Sequence, residues 1–470
     1  MCRIVHNESV LACVLAVLAT GVLGSSISEL KSKSNRGDGT RFELLPGEKY
    51  FRVDGRTSFI LGRNPVGMNP AAFDDHFRNI SESGERLVRI HFNYMPPGEK
   101  PGEIDANMLR VWDQVLDAAE KHGLAVLPVL DVWSNWNNGS GGVPLKWTAW
   151  DNNPFKRGGQ ALTPSELLDD TPCRSLWLQR LKKFVSHWSS RRAIVAWEIF
   201  SELDLVTGAT EDRAVDLIER AAGIIRTTDP LKRPITASQS GINDWPKLAQ
   251  SSALDFIEIH PYASGQFKGQ LDSLILSTVR QRLTKYGKPV FIGECGLSAS
   301  SPHNTLDVAP RARIGIQHAI WASMVSGAMN GRMLWWQDGY DIFEKVDLRS
   351  QYEQVATPAV AFLQDIDFTG FKPVSCVNSN ALVGAMIGND KTIFGWFRDA
   401  QCEPPEWPMK SVLGQTVTLD APGHSWQIEY FDPASGQSNN KSLLVTQAGR
   451  LYIVLPEFKD AIAIRLMRQK

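Results

Sequence analysis

From about residue 50 to residue 370, short apolar runs alternate with amphipathic stretches. The runs at 59–62, 87–91, 124–130, 194–200, 235–238, 256–260, 289–293 and 333–336 are largely apolar and too short for buried helices. They read as strands covered on both faces, the signature of a parallel sheet. Between most of them apolar residues recur at helical spacing, over 104–122, 173–189, 211–227, 271–286 and 311–326, with 355–366 following the last run. Eight strands, most followed by a helix, predict a (β/α)8 TIM barrel. An open doubly wound sheet is the alternative, but no Gly-rich phosphate loop follows the first strand.

Beyond Phe371 the helical spacing stops. Runs at 381–387, 392–397, 415–419, 425–430, 451–455 and 461–466 are short and rich in β-formers. Turn residues separate them, such as Gly388-Asn389-Asp390 and Pro433-Ala434-Ser435-Gly436. The pattern predicts a small all-β sandwich, either a packing cap on the barrel or a carbohydrate-binding unit. At the other end, Val10 to Leu23 is an uncharged apolar run of fourteen residues behind Arg3. That is short of the roughly 20 residues a membrane span needs. It predicts a signal peptide over 1–24 and secretion to an extracellular or periplasmic space. A polar linker is then expected at 25–43, the barrel at 44–370 and the sandwich at 371–470.

Composition narrows the partners. With 50 basic and 51 acidic residues in 470, the net charge is −1, so nothing electrostatic draws the chain to nucleic acid or an anionic membrane. The 15 Trp suit stacking on sugar rings, although most Trp in any protein are core. No cysteine pair has CxxC spacing, which speaks against a zinc or redox site. Cys376 and Cys402 share the C-terminal region and are the candidates for a disulfide in an oxidising compartment.

In a (β/α)8 barrel the chemistry sits at the carboxyl ends of the strands. Read to its end, the second strand carries Arg89 and His91, and the third Asp131 then Trp133. The fourth runs Trp197-Glu198-Ile199-Phe200-Ser201-Glu202, and the sixth His260-Pro261-Tyr262. The seventh gives Phe291-Ile292-Gly293-Glu294 and the eighth Trp335-Trp336. Two carboxylates therefore end strands on opposite sides of one mouth. That pairing is what glycoside hydrolysis needs: one carboxylic acid protonates the leaving oxygen while the other attacks or stabilises the anomeric carbon. A lone Glu ending a strand is more often a structural ion-pair partner. Both, with His260, Tyr262 and the Trp pair, make a far rarer constellation.

Over roughly residues 50–366 this order resembles the clan A glycoside hydrolases, especially family 5 and its endo-β-mannanase-like members. Trp-Glu-Ile-Phe-Ser-Glu is similar to the fourth-strand segment that ends in Asn-Glu, which implies Glu202 as acid/base. Phe-Ile-Gly-Glu is similar to the seventh-strand segment and implies Glu294 as nucleophile. By the same resemblance Tyr262 would hydrogen-bond the nucleophile, Arg89 would orient it, and Trp335 or Trp336 would floor the −1 sugar. It implies retention of configuration, no metal and no cofactor.

One residue departs from the pattern: Ser201 stands where the family has Asn. That Asn donates to the sugar 2-hydroxyl, so Ser201 is expected to point sideways toward C2 of the −1 sugar. The departure fits a tolerated change, a substrate altered at C2, or a weakened protein. Glu198, on the same strand face but deeper, reads as a buried support. The long segment from Asp131 to Thr171 carries Trp133, Trp136, Trp147, Trp150 and Phe155. It is either a set of sugar subsites, with Asp131, Trp133 and Trp136 as contacts, or a lid packed on itself. The expectation is a secreted monomer that cuts a β-1,4-mannan-like hexosan internally. The alternatives are an exo-acting β-glycosidase and a non-catalytic carbohydrate-binding protein.

Overall fold

The computed structural model describes residues 40–469 apart from 46, 67–69, 97, 141–148, 342–343 and 422–424. The expected leader, most of the linker and Trp147 lie outside the described residues.

The barrel strands are β1 (Ile60–Arg63), β2 (Leu87–His91), β3 (Ala125–Val129), β4 (Trp197–Glu198), β5 (Ile235–Thr236), β6 (Ile257–Ile259), β7 (Val290–Ile292) and β8 (Asn330–Gly331). Pairing runs β8-β1-β2-β3-β4-β5 as one parallel sheet, and β6 pairs with β7. Single parallel bridges close the ring, Ser238 with Glu258 and Cys295 with Leu334. The apolar runs are continuous because side chains on one face fill the barrel while those on the other meet the helices. Leu87 and Leu127 belong to one buried cluster, Val88 and Val126 to a second. The helices expected from the spacing are present within one or two residues at each end, except the last, which is shorter, at Thr357–Leu363. Asp105 shows why one starts where it does: its carboxylate accepts from the backbone N–H groups of Asn107 and Met108.

The eighth strand corrects the sequence reading. Its ladder lies earlier, at Asn330–Gly331, and of the expected run 333–336 only Leu334 pairs, in the single bridge to Cys295. Arg332 then takes a left-handed turn, φ 68°, held by buried pairs with Glu85 at 2.7 Å and with Asp338. The apolar run after it is mostly a connection that carries Trp335 and Trp336 to the mouth. Gly331 hid the strand because glycine is a poor β-former, yet only glycine fits: a Cβ there would sit 2.0 Å from Ser323 Oγ. The helix Phe73–Glu82 between β1 and β2 was also missed.

The C-terminal region is all-β. A six-stranded antiparallel sheet packs one face on a three-stranded sheet, through Phe397, Val417, Ile428, Ile453 and Ile464. Its other face, with Phe394, Trp396 and Ala463, joins the barrel core around Trp321 and Phe362. The strand Thr392–Asp399 is therefore apolar on both faces. The polar edge strand Ser438–Val445 escaped the sequence reading because it has almost no core face. Cys376 and Cys402 are not bonded to each other. The Cys402 thiol donates to Asp460 Oδ1 at 3.2 Å, and Asp460 also pairs with His318 at 2.6 Å across the junction with the barrel.

Candidate active site

The carboxyl end of β2 delivers Arg89, which is wholly buried. Burying a guanidinium demands anionic partners. Arg89 has three: Nε and Nη2 fork onto Glu198 at 2.6 and 2.8 Å, Nη1 donates to Glu294 Oε1 at 2.8 Å, and Glu258 Oε1 lies 3.1 Å from Nε. Three further strands, β4, β6 and β7, are thereby tied to β2 by one side chain. Asn64, just past β1, completes the ring. It donates to the carbonyls of Gly293 and Met333 at 3.0 and 3.2 Å, and its Oδ1 lies 3.4 Å from Arg89.

Glu294 also accepts from Tyr262 OH at 2.6 Å. Burial opposes its ionisation, but His260, Arg89 and His91 outweigh that, with help from the Tyr262 hydrogen bond, and hold Glu294 below the usual carboxylate range. Glu202 is different. Burial is the largest influence and raises it above the usual carboxylate range; the charge of Glu294 adds to the rise, and the hydrogen bond with His260 only partly offsets it. The two carboxyls are thus pushed in opposite directions, Glu294 toward its charged form and Glu202 toward its protonated one, as a nucleophile and an acid would require.

Glu202 sits in the left-handed region, φ 56° and ψ 50°, which strains a residue with a Cβ. Neighbours over-determine the bend. Glu202 N–H donates to Ser238 Oγ at 3.0 Å, and Leu203 N–H to the Ser238 carbonyl at 3.1 Å. Its Oε1 lies 2.9 Å from His260 Nδ1, in hydrogen-bond contact. Single oxygens of Glu202 and Glu294, with His260, all lie within 4.8 Å of one another.

Of the other expected site residues, His91 and Trp335 meet edge to face at 5.5 Å between ring centres. Trp336 donates through Nε1 to the Ser298 carbonyl at 2.8 Å, beside Gly296 and Tyr262. Both Trp are half-buried. Ser201 corrects the sequence reading: it is 1% exposed and its Oγ accepts from Arg89 Nη2 at 2.9 Å, so it points inward and not at C2 of a sugar. Asp131 and Trp136 are corrected too. Asp131 is buried and accepts from Val132 N, Asn135, Trp136 Nε1 and Trp177 Nε1, which leaves it nothing for a ligand. Trp136 is 0% exposed and packs on Trp150 and Phe155. Most of the described apolar side chains of the 131–171 segment are therefore part of the core between barrel and helices, with Trp133 alone of its described Trp left half-buried.

Sequence reasoning passed over Asn64, Ser238 and Glu258. The period-2 rule held a signal for the last, because Glu258 and His260 must share one face of β6.

A closed (β/α)8 barrel with facing carboxylates at the ends of β4 and β7 defines a glycoside hydrolase scaffold. The family model for cellulase (glycosyl hydrolase family 5) matches residues 57–327, more than half of the chain, and the chain belongs to that family. Mannan endo-1,4-beta-mannosidase F of Aspergillus clavatus is 24% identical over 214 residues, covering 41% of this chain and 45% of that protein. The chain thus spans about half the length of the curated relatives it matches. A glycoside hydrolase family 5 structure from Bacteroides vulgatus ATCC 8482 superposes with a TM-score of 0.62 at 11% identity, over 91% of this chain and 93% of that one. The endo-1,4-beta-mannanase of Rhizomucor miehei superposes with a TM-score of 0.50 at 12% identity, over 67% of this chain and 96% of that one. These likenesses concern the fold. Among the described residues no helix is long and apolar enough to cross a membrane.

Proposed function

We propose that this chain is a secreted, retaining β-glycoside hydrolase that cuts a β-1,4-mannan-like polysaccharide internally, with Glu294 as nucleophile and Glu202 as acid/base. The observation that carries the reading is the approach of Glu202 and Glu294 to within 4.8 Å across His260. Carboxyl groups about 5–5.5 Å apart leave no room for an interposed water, so the second attacks directly, whereas inverting pairs stand about 6.5–9.5 Å apart. The mannosidase relatives support the choice of mannan. Incubation with a panel of β-mannans, β-glucans and xylans, with product sizing, tests it. Early release of mixed oligosaccharides from mannan is expected; release of single sugars only would favour exo action, and no release from any member would sink the hydrolase reading.

In the mechanism Arg89 and Tyr262 hold Glu294 ionised and aimed. Its carboxylate attacks the anomeric carbon while Glu202 passes its proton to the departing oxygen. Glu202, now an anion beside His260, then takes a proton from the water that attacks the glycosyl ester, and Glu294 is released.

Glu202→Ala is expected to lose about 10²–10⁴-fold in kcat on polysaccharide, the usual worth of a general acid. It should form the glycosyl-enzyme from a 2,4-dinitrophenyl glycoside at nearly the wild-type rate, because that leaving group needs no proton. Equal losses on both substrates in pre-steady-state measurements would remove Glu202 from the acid role.

Ser201→Asn is expected to harm the protein, not restore a family contact. The longer side chain enters a space already filled by the Arg89 fork. A fall in kcat/KM of at least about tenfold, about 1.4 kcal/mol at the transition state, should follow. An unchanged kcat/KM would show that the pocket accommodates the amide.

A further inference from the structure

Glu258 is the middle residue of the sixth strand, beneath Glu202 and Glu294, and the mechanism does not use it. Its side chain is 0% exposed, yet neither oxygen accepts a hydrogen bond from any described residue. The Arg89 Nε hydrogen beside it is committed to Glu198 at 2.6 Å. The other cation in reach is His260, whose Nε2 stands 3.7 Å from Glu258 Oε1 and is also buried without a partner. Gly293 makes this arrangement possible: a Cβ there would sit 2.0 Å from Glu258 Oε1 and 2.8 Å from His260 Nε2. The residue immediately before the nucleophile is thus bare where the buried carboxylate and the imidazole face each other.

His260 spans the gap. Nδ1 lies 2.9 Å from Glu202 Oε1, Nε2 faces Glu258, and Glu294 Oε2 lies 3.7 Å from Nδ1. We infer that Glu258 is a positioning residue that acts on Glu202 through His260, holding the ring protonated and oriented so that Nδ1–H donates to Oε1 and the acid's proton is kept on the other oxygen. This rests on the reading of Glu202 as acid/base. A neutral ring could turn over or change tautomer and accept from Glu202 instead; an imidazolium flanked by carboxylates can only donate. The surrounding charges agree. Burial opposes the charge on His260, but Glu294 and the contacts with Glu202 and Glu258 overcome it, against Arg89, and raise the ring to about 10. Burial and then the charge of Glu198 raise Glu258 to about 7, and the facing His260 and Arg89 pull against that rise, so its charge is tied to the imidazole it faces.

The test is Glu258→Gln, which keeps the shape and removes the charge, in the full chain. Imidazole nitrogen-15 NMR reads His260 directly, its signal being the one absent in His260→Asn. Wild-type His260 should remain protonated past about pH 8, and the variant should titrate at least about one pH unit lower, a tenfold weaker hold on the proton. With kinetics on mannotetraose and 2,4-dinitrophenyl β-mannobioside, kcat on the first should fall about 10²-fold with KM little changed, and release of dinitrophenol about threefold or less. A merely structural role would lower the melting temperature and slow both substrates alike. An unchanged His260 midpoint in the variant overturns the proposal. So does a wild-type midpoint near the ordinary value of about 6.5, which needs no variant at all. A wild type silent on both glycosides would instead overturn the functional reading, and the titration would still decide the part played by Glu258.

Discussion

Glu294→Ala is expected to reduce turnover by about 10⁵-fold or more, about 7 kcal/mol of transition-state stabilisation. No neighbour can take over the attack. Glu202 is held by His260, and Glu198 and Glu258 are sealed beneath Arg89 with no exposure. The void left by the carboxylate should admit azide. With a 2,4-dinitrophenyl glycoside, which needs no acid, azide should restore activity and yield the glycosyl azide of inverted configuration, because one displacement replaces two. The configuration of that product, read by proton NMR, is the decisive measurement. If azide instead rescues Glu202→Ala with inversion, the two roles are exchanged.

Arg89→Met is expected to have the largest effect on the fold. It leaves Glu198, Glu258 and Glu294 buried beside one another with the guanidinium gone. Removing one partner of a buried pair costs about 3–5 kcal/mol, because the charge left behind is uncompensated. A lower urea midpoint at neutral pH should result. The pH dependence carries a sign. In the wild type Glu198 and Glu294 are held below the usual carboxylate value, so they add stability above that value that is lost as pH falls through their lowered ones. In the variant the same carboxyls have lost that partner and should hold their protons to higher pH than an ordinary carboxylate. Native protein then binds more protons than unfolded chain, so stability should fall as pH rises above the ordinary carboxylate value. The variant should therefore come closest to the wild type near pH 5 and lag furthest near pH 8. Adding Glu198→Gln should recover part of the loss, since it removes one uncompensated charge. A variant as stable as the wild type at pH 8 would show that Arg89 does not carry the charge balance of the site.

What the sequence determined by itself rests on local physics. Continuous apolar strands spaced by amphipathic helices admit few architectures, so the barrel was legible, as was the change to short β-runs after Phe371. Glu202, Glu294, Arg89, His260 and Tyr262 were also legible as neighbours, because strand ends in a closed barrel converge whatever the loops do. Tertiary structure decided the rest. Asp131 and Trp136 sit at the mouth in sequence, but the few apolar side chains of an otherwise polar segment pack into the core and take them with it. Ser201 follows its strand as expected, yet its direction depends on Arg89, which arrives from a strand more than a hundred residues away. Gly331 broke the strand signal because its value lies in a close approach to Ser323 that no local pattern encodes. Glu258 looked like one more buried strand residue. Only the packing of β2, β4, β6 and β7 around a common axis shows four carboxylates, one guanidinium and two imidazoles sharing a single low-dielectric pocket, where the charge of each is set by all the others.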